Sequence, residues 1–225
     1  MTDCRRVSGA PSEPRRMQPG TDYHKNLEVV DRFPWSLYHR PIRQAVLDAL
    51  SACGPAPLKL LNVGCGLSQI YPHLPPQHSY TGVDVDERAV RTSQERFGPS
   101  GATFVACEPL SLPFPDQSFD FVFATEVVEH VLEPEVWLAE LVRVTRPGGL
   151  VQLSTPDYGQ ITLPLIEKTF LELVARSKGF SRAGIHPTKF SRGKLRRLME
   201  EFLGEVTIGR TPGWLALIGT GRKPS

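Results

Sequence analysis

The sequence predicts a doubly wound α/β fold with a mostly parallel sheet that ends in an antiparallel hairpin. Three observations predict it. Five short apolar runs recur between residues 58 and 156. Amphipathic helical patterns fill most of the gaps between them, and strand–helix alternation builds right-handed βαβ units. The last two strand-like runs are separated by Thr211-Pro212-Gly213, a turn signal that makes them a hairpin at the sheet edge. At 225 residues and 40% apolar content, the chain suits one α/β domain with a short extension.

The elements follow in order. Residues 1–20 are rich in Pro, Gly, Ser and Arg and poor in apolar groups; burial cannot offset their ordering entropy, so they are expected to be a disordered tail. Residues 21–52 read as an N-terminal helical cap. Val29, Val30 and Phe33 cluster there, and Ile42, Val46, Leu47 and Leu50 recur at helical spacing with Pro41 near the start of the helix. Residues 53–225 form the main domain. Its strands are LKLLNV (Leu58–Val63), YTGVDV (Tyr80–Val85), ATFVAC (Ala102–Cys107), FDFVFA (Phe119–Ala124) and GLVQLSTP (Gly149–Pro156). Helices are expected over Glu87–Phe97, Glu133–Thr145, Leu163–Ser177 and Gly193–Phe202. The third of these is amphipathic from Leu163 to Val174, as a core helix or a lid over an apolar acceptor would be. EVTIGR (Glu205–Arg210) and WLALIGTG (Trp214–Gly221) complete the hairpin.

Composition narrows the function. The net charge is +2 and the basic runs are short, so no bulk electrostatic signal favours a nucleic-acid partner. The four cysteines, Cys4, Cys53, Cys65 and Cys107, form no CxxC pair, which suits reduced thiols in the cytoplasm. No run approaches the ~20 apolar residues of a membrane span, and the first residues lack the apolar core of a signal peptide. A soluble cytoplasmic protein is therefore expected; its oligomeric state is not fixed by the sequence.

The clearest chemical signal is LLNVGCGLS (Leu60–Ser68), a strand that runs straight into a glycine turn. Glycines at 64 and 66 allow backbone torsions and a close ligand approach that a Cβ would block. Ligands of such sheets sit at the carboxyl ends of the strands. Asp84 ends the second strand, where an acidic group accepts hydrogen bonds from ribose hydroxyls. NAD and S-adenosylmethionine (SAM) both fit that geometry. The dinucleotide fingerprint, however, needs a third glycine, and Gly64-Cys65-Gly66-Leu67-Ser68-Gln69 does not supply it.

Four segments taken together, LLNVGCG, GVDVD, LPFPDQSFDFVFATEVVEH and RVTRPGGLVQLSTP, resemble in order and spacing the class I SAM-dependent methyltransferases of the type 11 and ubiquinone-pathway kind. The resemblance is firm from Leu58 to Pro156 and looser elsewhere. It implies a Rossmann-like seven-stranded sheet with helices on both faces, and SAM as cofactor. Carried over by position, Gly64, Cys65 and Gly66 would line the methionine and ribose, Asp84 would take the ribose diol, and Val85 would lie against adenine. Glu108 and Pro109 stand where the family usually has an aspartate and a backbone N–H for adenine; Glu is longer and Pro has no N–H. Thr125 and Glu126 would flank the methionine end. WSLYHRPIR (Trp35–Arg43) resembles the stretch ahead of the fold in ubiquinone-pathway O-methyltransferases, which gives Arg43 the SAM carboxylate; otherwise it is an exposed helix arginine.

Methyl transfer from a sulfonium is an in-line displacement, and a hydroxyl acceptor must also lose a proton. EVVEH (Glu126–His130) lies where that proton would be handled. On a helical turn Glu126, Glu129 and His130 would share one face. Two carboxylates and an imidazole suit Mg²⁺, Mn²⁺ or Zn²⁺. The pattern resembles the metal site of ubiquinone-pathway O-methyltransferases and of small-RNA 3′-terminal 2′-O-methyltransferases. The latter add a histidine after the fifth strand, here His186 of HPTKFSRGKL (His186–Leu195). Glu129, His130 and His186 are thus the candidate catalytic groups, with Glu126, Glu129, His130 and His186 as the candidate ligand set. In relatives that bind no metal, His130 would be a cap or a general base and Glu129 a structural acceptor. His24, His39, His73 and His78 show no ligand spacing.

These residues predict O-methylation of a small-molecule hydroxyl on a phenol, catechol or sugar. The alternatives are 2′-O-methylation of RNA 3′ ends, for which Lys189, Arg192, Lys194, Arg196 and Arg197 are the available cations, C- or N-methylation of a small metabolite, and SAM binding without turnover. No NPPY motif marks amino-group methylation of bases or glutamine.

Overall fold

The computed structural model describes residue 33 and residues 35–160 and 186–225. The expected helix Leu163–Ser177 and His24 lie outside the described residues, as does the tail over residues 1–20. The elements in chain order are α1 (Ser36–Ala52), β1 (Lys59–Val63), β2 (Ser79–Asp84), α2 (Glu87–Phe97), β3 (Thr103–Ala106), β4 (Phe119–Thr125), α3 (Pro134–Val144), β5 (Thr145–Pro156), α4 (Arg192–Glu200), β6 (Gly204–Arg210) and β7 (Ala216–Arg222). Two boundaries differ from expectation in an instructive way. Helix α1 begins before Pro41, which lies inside it and deprives Leu37 of a helical donor. Strand β5 begins at Thr145, opposite Phe119, and a bulge absorbs the extra residues before Leu150 pairs with Phe121.

The seven strands run in the order β3-β2-β1-β4-β5-β7-β6. The first five are parallel, while β7 is antiparallel to both β5 and β6. The expected hairpin therefore forms, with β6 at the edge. Between β1 and β4 the direction of winding reverses, and this switch point opens a crevice at the carboxyl ends of the two strands. Because β7 is antiparallel, its first residue, Ala216, pairs with Pro156 at the far end of β5, which brings the β6–β7 turn to the same side of the sheet.

Alternation along β4 divides the core. Val122 and Ala124 face α3 and α4 through Trp137, Leu138, Leu141, Leu195 and Met199. Phe121 and Phe123 face α1 and α2 through Val46, Leu50, Val90 and Phe97. Both faces are covered, which explains why central strands read as continuous apolar runs. Helix α2 starts on a cap: the Asp86 side chain accepts from Arg88 N–H at 2.9 Å. Among the described residues, no helix is long and apolar enough to cross a membrane.

Beyond β5 the chain is held by the ion pair of Asp157 with Arg210, whose side chain is partly exposed. Asp157 is fully buried. Its carboxylate accepts from Arg210 Nε at 2.7 Å and from Gly159 N–H at 2.9 Å, and its own N–H donates to Leu215 O at 3.0 Å. Replacing Arg210 by Met leaves that carboxylate without its counter-charge. Urea unfolding is expected to show a loss of about 3 kcal/mol; an unchanged midpoint and slope would mean the pair holds nothing in place.

Candidate functional site

The crevice is shaped first by backbone. Gly64 and Gly66 have φ of 72° and 49°, the left-handed region that favours glycine. A Cβ on Gly64 would stand 2.4 Å from Val127 Cγ2, so this position also needs the space. Gly64 and Cys65 both donate their N–H to Val83 O, at 2.8 and 2.9 Å. Gly66 N–H then donates to Asp84 Oδ2 at 2.8 Å, and Asp86 N–H donates to Asp84 Oδ1 at 3.0 Å. Ser93 on α2 closes the loop by donating to Gly66 O at 3.0 Å. Each carboxylate oxygen of Asp84 thus holds one amide and keeps acceptor capacity for a diol. Cys65 is buried, and burial pushes its thiol up to about 12, so it stays protonated at neutral pH.

The other expected cofactor positions line the same edge. Asp84 pairs with Ala106 across β2 and β3, so Val85 and the Cys107–Pro109 segment leave the sheet side by side. Val85 is 46% exposed, Glu108 is exposed and Pro109 half-buried, which gives a partly apolar rim. Arg43 lies half-buried on α1, one residue after the core residue Ile42.

At the end of β4 the structure corrects the expected helical face. Thr125 pairs with Ser154, and Glu126 follows with φ of 59°. A 3-10 turn begins only at Val128 and covers Glu129 and His130. Glu126 therefore turns away from the other two. Its N–H donates to Ser154 O and Oγ at 3.2 and 3.1 Å; its carboxylate accepts from Ser154 Oγ at 2.8 Å and from the Tyr38 hydroxyl of α1. Burial raises the Glu126 carboxyl to about 7 against the lowering effect of those two hydroxyls. Burial and the charge of Glu126 push the Tyr38 phenol well up, and Glu129 adds to the effect.

Glu129, His130 and His186 do converge: one ligand atom from each lies within 4.8 Å of the others. Glu129 is buried, and the two imidazoles meet edge-on with centroids 4.8 Å apart. The loop that carries His186 is docked by Thr188, whose N–H donates to Glu129 O at 3.1 Å and whose hydroxyl donates to Val131 O at 3.0 Å. His186 Nδ1 is hydrogen-bonded to the Tyr158 hydroxyl. One carboxylate and two imidazoles are a donor set for Zn²⁺, Mn²⁺ or another borderline ion. The residues present therefore fit a metal, with Glu126 outside the set.

Tyr38, Ser154, Tyr158 and Thr188 belong to the site and carry no spacing signal of their own. Tyr38 falls in the WSLYHRPIR stretch, and Ser154 and Tyr158 bracket the end of the fifth apolar run. A hydroxyl-rich strand end beside a glycine loop is the one hint the sequence held.

Residues 61–153 match a family described as a methyltransferase domain. The chain is 32% identical over 126 residues to the fatty-acid O-methyltransferase of Mycolicibacterium smegmatis, across 54% of this chain and 43% of that protein. It is 26% identical over 182 residues to the 2-methyl-6-phytyl-1,4-hydroquinone methyltransferase of Synechocystis sp., across 74% of this chain and 55% of that one. It thus spans about half the length of these relatives. A SAM-dependent methyltransferase from Aquifex aeolicus shares the fold, with a TM-score of 0.61 over 90% of this chain and 97% of that one at 17% identity. The matched segment contains the glycine loop, Asp84 and the Glu129–His130 turn, the parts from which the crevice is built, and over it the chain is similar to the methyltransferase domains of the class I SAM-dependent enzymes.

Proposed function

We propose that the protein transfers a methyl group from SAM to a hydroxyl oxygen of a small molecule, with a divalent ion held by Glu129, His130 and His186. The observation that carries this reading is the convergence of those three side chains beside the strand ends that form the cofactor crevice. SAM supplies an electrophilic methyl, and in-line displacement requires no nucleophile from the protein. In this reading Asp84 holds the ribose diol, and Gly64, Cys65 and Gly66 let the ligand approach the backbone. Val85, Glu108 and Pro109 border the adenine, Arg43 faces the carboxylate, and Thr125 and Glu126 flank the methionine.

An ion at the triad would act as a Lewis acid that lowers the pKa of a coordinated hydroxyl. Glu129, His130 and His186 orient it, and α1 reaches the end of β4 through the Tyr38–Glu126 hydrogen bond. The fatty-acid O-methyltransferase among the relatives supports oxygen as the acceptor atom. The free thiols of Cys53, Cys65 and Cys107 agree with a reducing, cytoplasmic setting.

Two measurements test this reading. Exhaustive EDTA treatment is expected to abolish methyl transfer to a catechol or polyol panel, with recovery on adding Zn²⁺ or Mn²⁺. Full activity after chelation together with an inactive His130→Ala variant would leave His130 as a general base without metal. The second concerns Glu126. Its ordinary value is 4.5 and its folded value about 7, so the fold favours the neutral carboxyl. That stability is fully present below about 4.5 and is lost as pH rises to about 7. A Glu126→Gln variant should therefore gain stability relative to wild type through that window in thermal melts and hold a constant gap above it. A gap independent of pH would contradict the assignment.

A further inference from the structure

We propose that Tyr158 is a positioning residue for the metal triad: its hydroxyl oxygen accepts a hydrogen bond from Nδ1–H of His186, which leaves Nε2 to face the ion. This rests on the reading of Glu129, His130 and His186 as ligands.

The two rings are brought together by several anchors. Tyr158 follows Asp157, which is locked to Arg210, and its own N–H donates to Phe190 O at 2.9 Å. Phe190 is fully buried in the core. His186 sits two residues before Thr188, which is bonded to the carbonyls of Glu129 and Val131. The hydrogen bond between the Tyr158 hydroxyl and His186 Nδ1 therefore joins side chains of two segments already tied to each other through Phe190 O and held in place by Arg210 and by the Glu129 turn.

Proton accounting gives the bond a direction. A neutral imidazole carries one proton. If Nε2 is to hold a metal, that proton must sit on Nδ1 and be donated to an acceptor, and Tyr158 Oη is the acceptor in place. Outer partners of this type fix the tautomer and ring orientation of ligating histidines. Lys189 adds a second feature. Its Nζ lies 5.4 Å from the centroid of the Tyr158 ring, so a cation covers the ring that carries the acceptor oxygen. Tyr158→Phe keeps the ring and this cation contact and removes only the oxygen.

The test is calorimetric titration of the full-length, metal-stripped protein with Zn²⁺, with SAM titrated in parallel. Tyr158→Phe is expected to weaken Zn²⁺ binding about 10- to 100-fold while leaving SAM affinity unchanged; a merely structural loss would lower both. The ¹⁵N resonances of His186 in the folded wild-type protein are expected to place the proton on Nδ1; a proton on Nε2 would overturn the role, and this result decides the matter should the phenylalanine variant fail to fold. Zn²⁺ binding by Tyr158→Phe equal to wild type would overturn the positioning role with the triad intact. Wild-type protein that takes up no Zn²⁺ would overturn the triad itself, and this inference with it.

Discussion

The carboxylate of Asp84 holds two backbone N–H groups, one from the loop after β1 and one from the start of α2. The rest of the cofactor crevice depends on that bridge. It forms because β1 and β2 run parallel in register, with Val63 opposite Val83, so both strands end at the same level. Val83 O then takes two successive amides of the glycine loop, and the loop has no freedom left except the left-handed torsions that glycine supplies. Charge-assisted bonds from backbone N–H groups are among the stronger ones a fold can make. Asp84 thereby shapes the crevice and still has lone pairs for a ligand.

The reacting side of the crevice is built differently, from side chains remote in sequence. Ser154 of β5 holds Glu126 in a left-handed backbone conformation, and Tyr38 of α1 covers its carboxylate. That twist separates Glu126 from the turn that follows and leaves Glu129 and His130 to meet His186. Non-glycine residues with positive φ persist only where their surroundings fix them, and they gather at functional sites. Here Ser154 does the fixing, through both its carbonyl and its hydroxyl.

The fold was largely legible because its signals are local. Helix α2 matches its expected span, and the five apolar runs became five parallel strands because each is covered on both faces. The glycine loop and Asp84 were legible for the same reason: glycine turns and strand-end carboxylates act through nearby backbone. The acceptor side was only partly so. Helical spacing placed Glu126 with Glu129 and His130, but a long-range bond to Ser154 overrides helical geometry at that residue. Thr188 holds His186 through carbonyls 57 to 59 positions earlier in the chain, which no periodicity encodes. Tyr38 meets Glu126 across 88 positions of the chain, which no local pattern encodes.

The central claim is that the Asp84 bridge forms a SAM site, and calorimetric titration of SAM into wild type and an Asp84→Ala variant tests it most directly. Losing a charged acceptor for two ribose hydroxyls should weaken binding by about 2 kcal/mol, or roughly 30-fold. Unchanged affinity in the variant, or wild-type protein that binds NADH and not SAM, would contradict it.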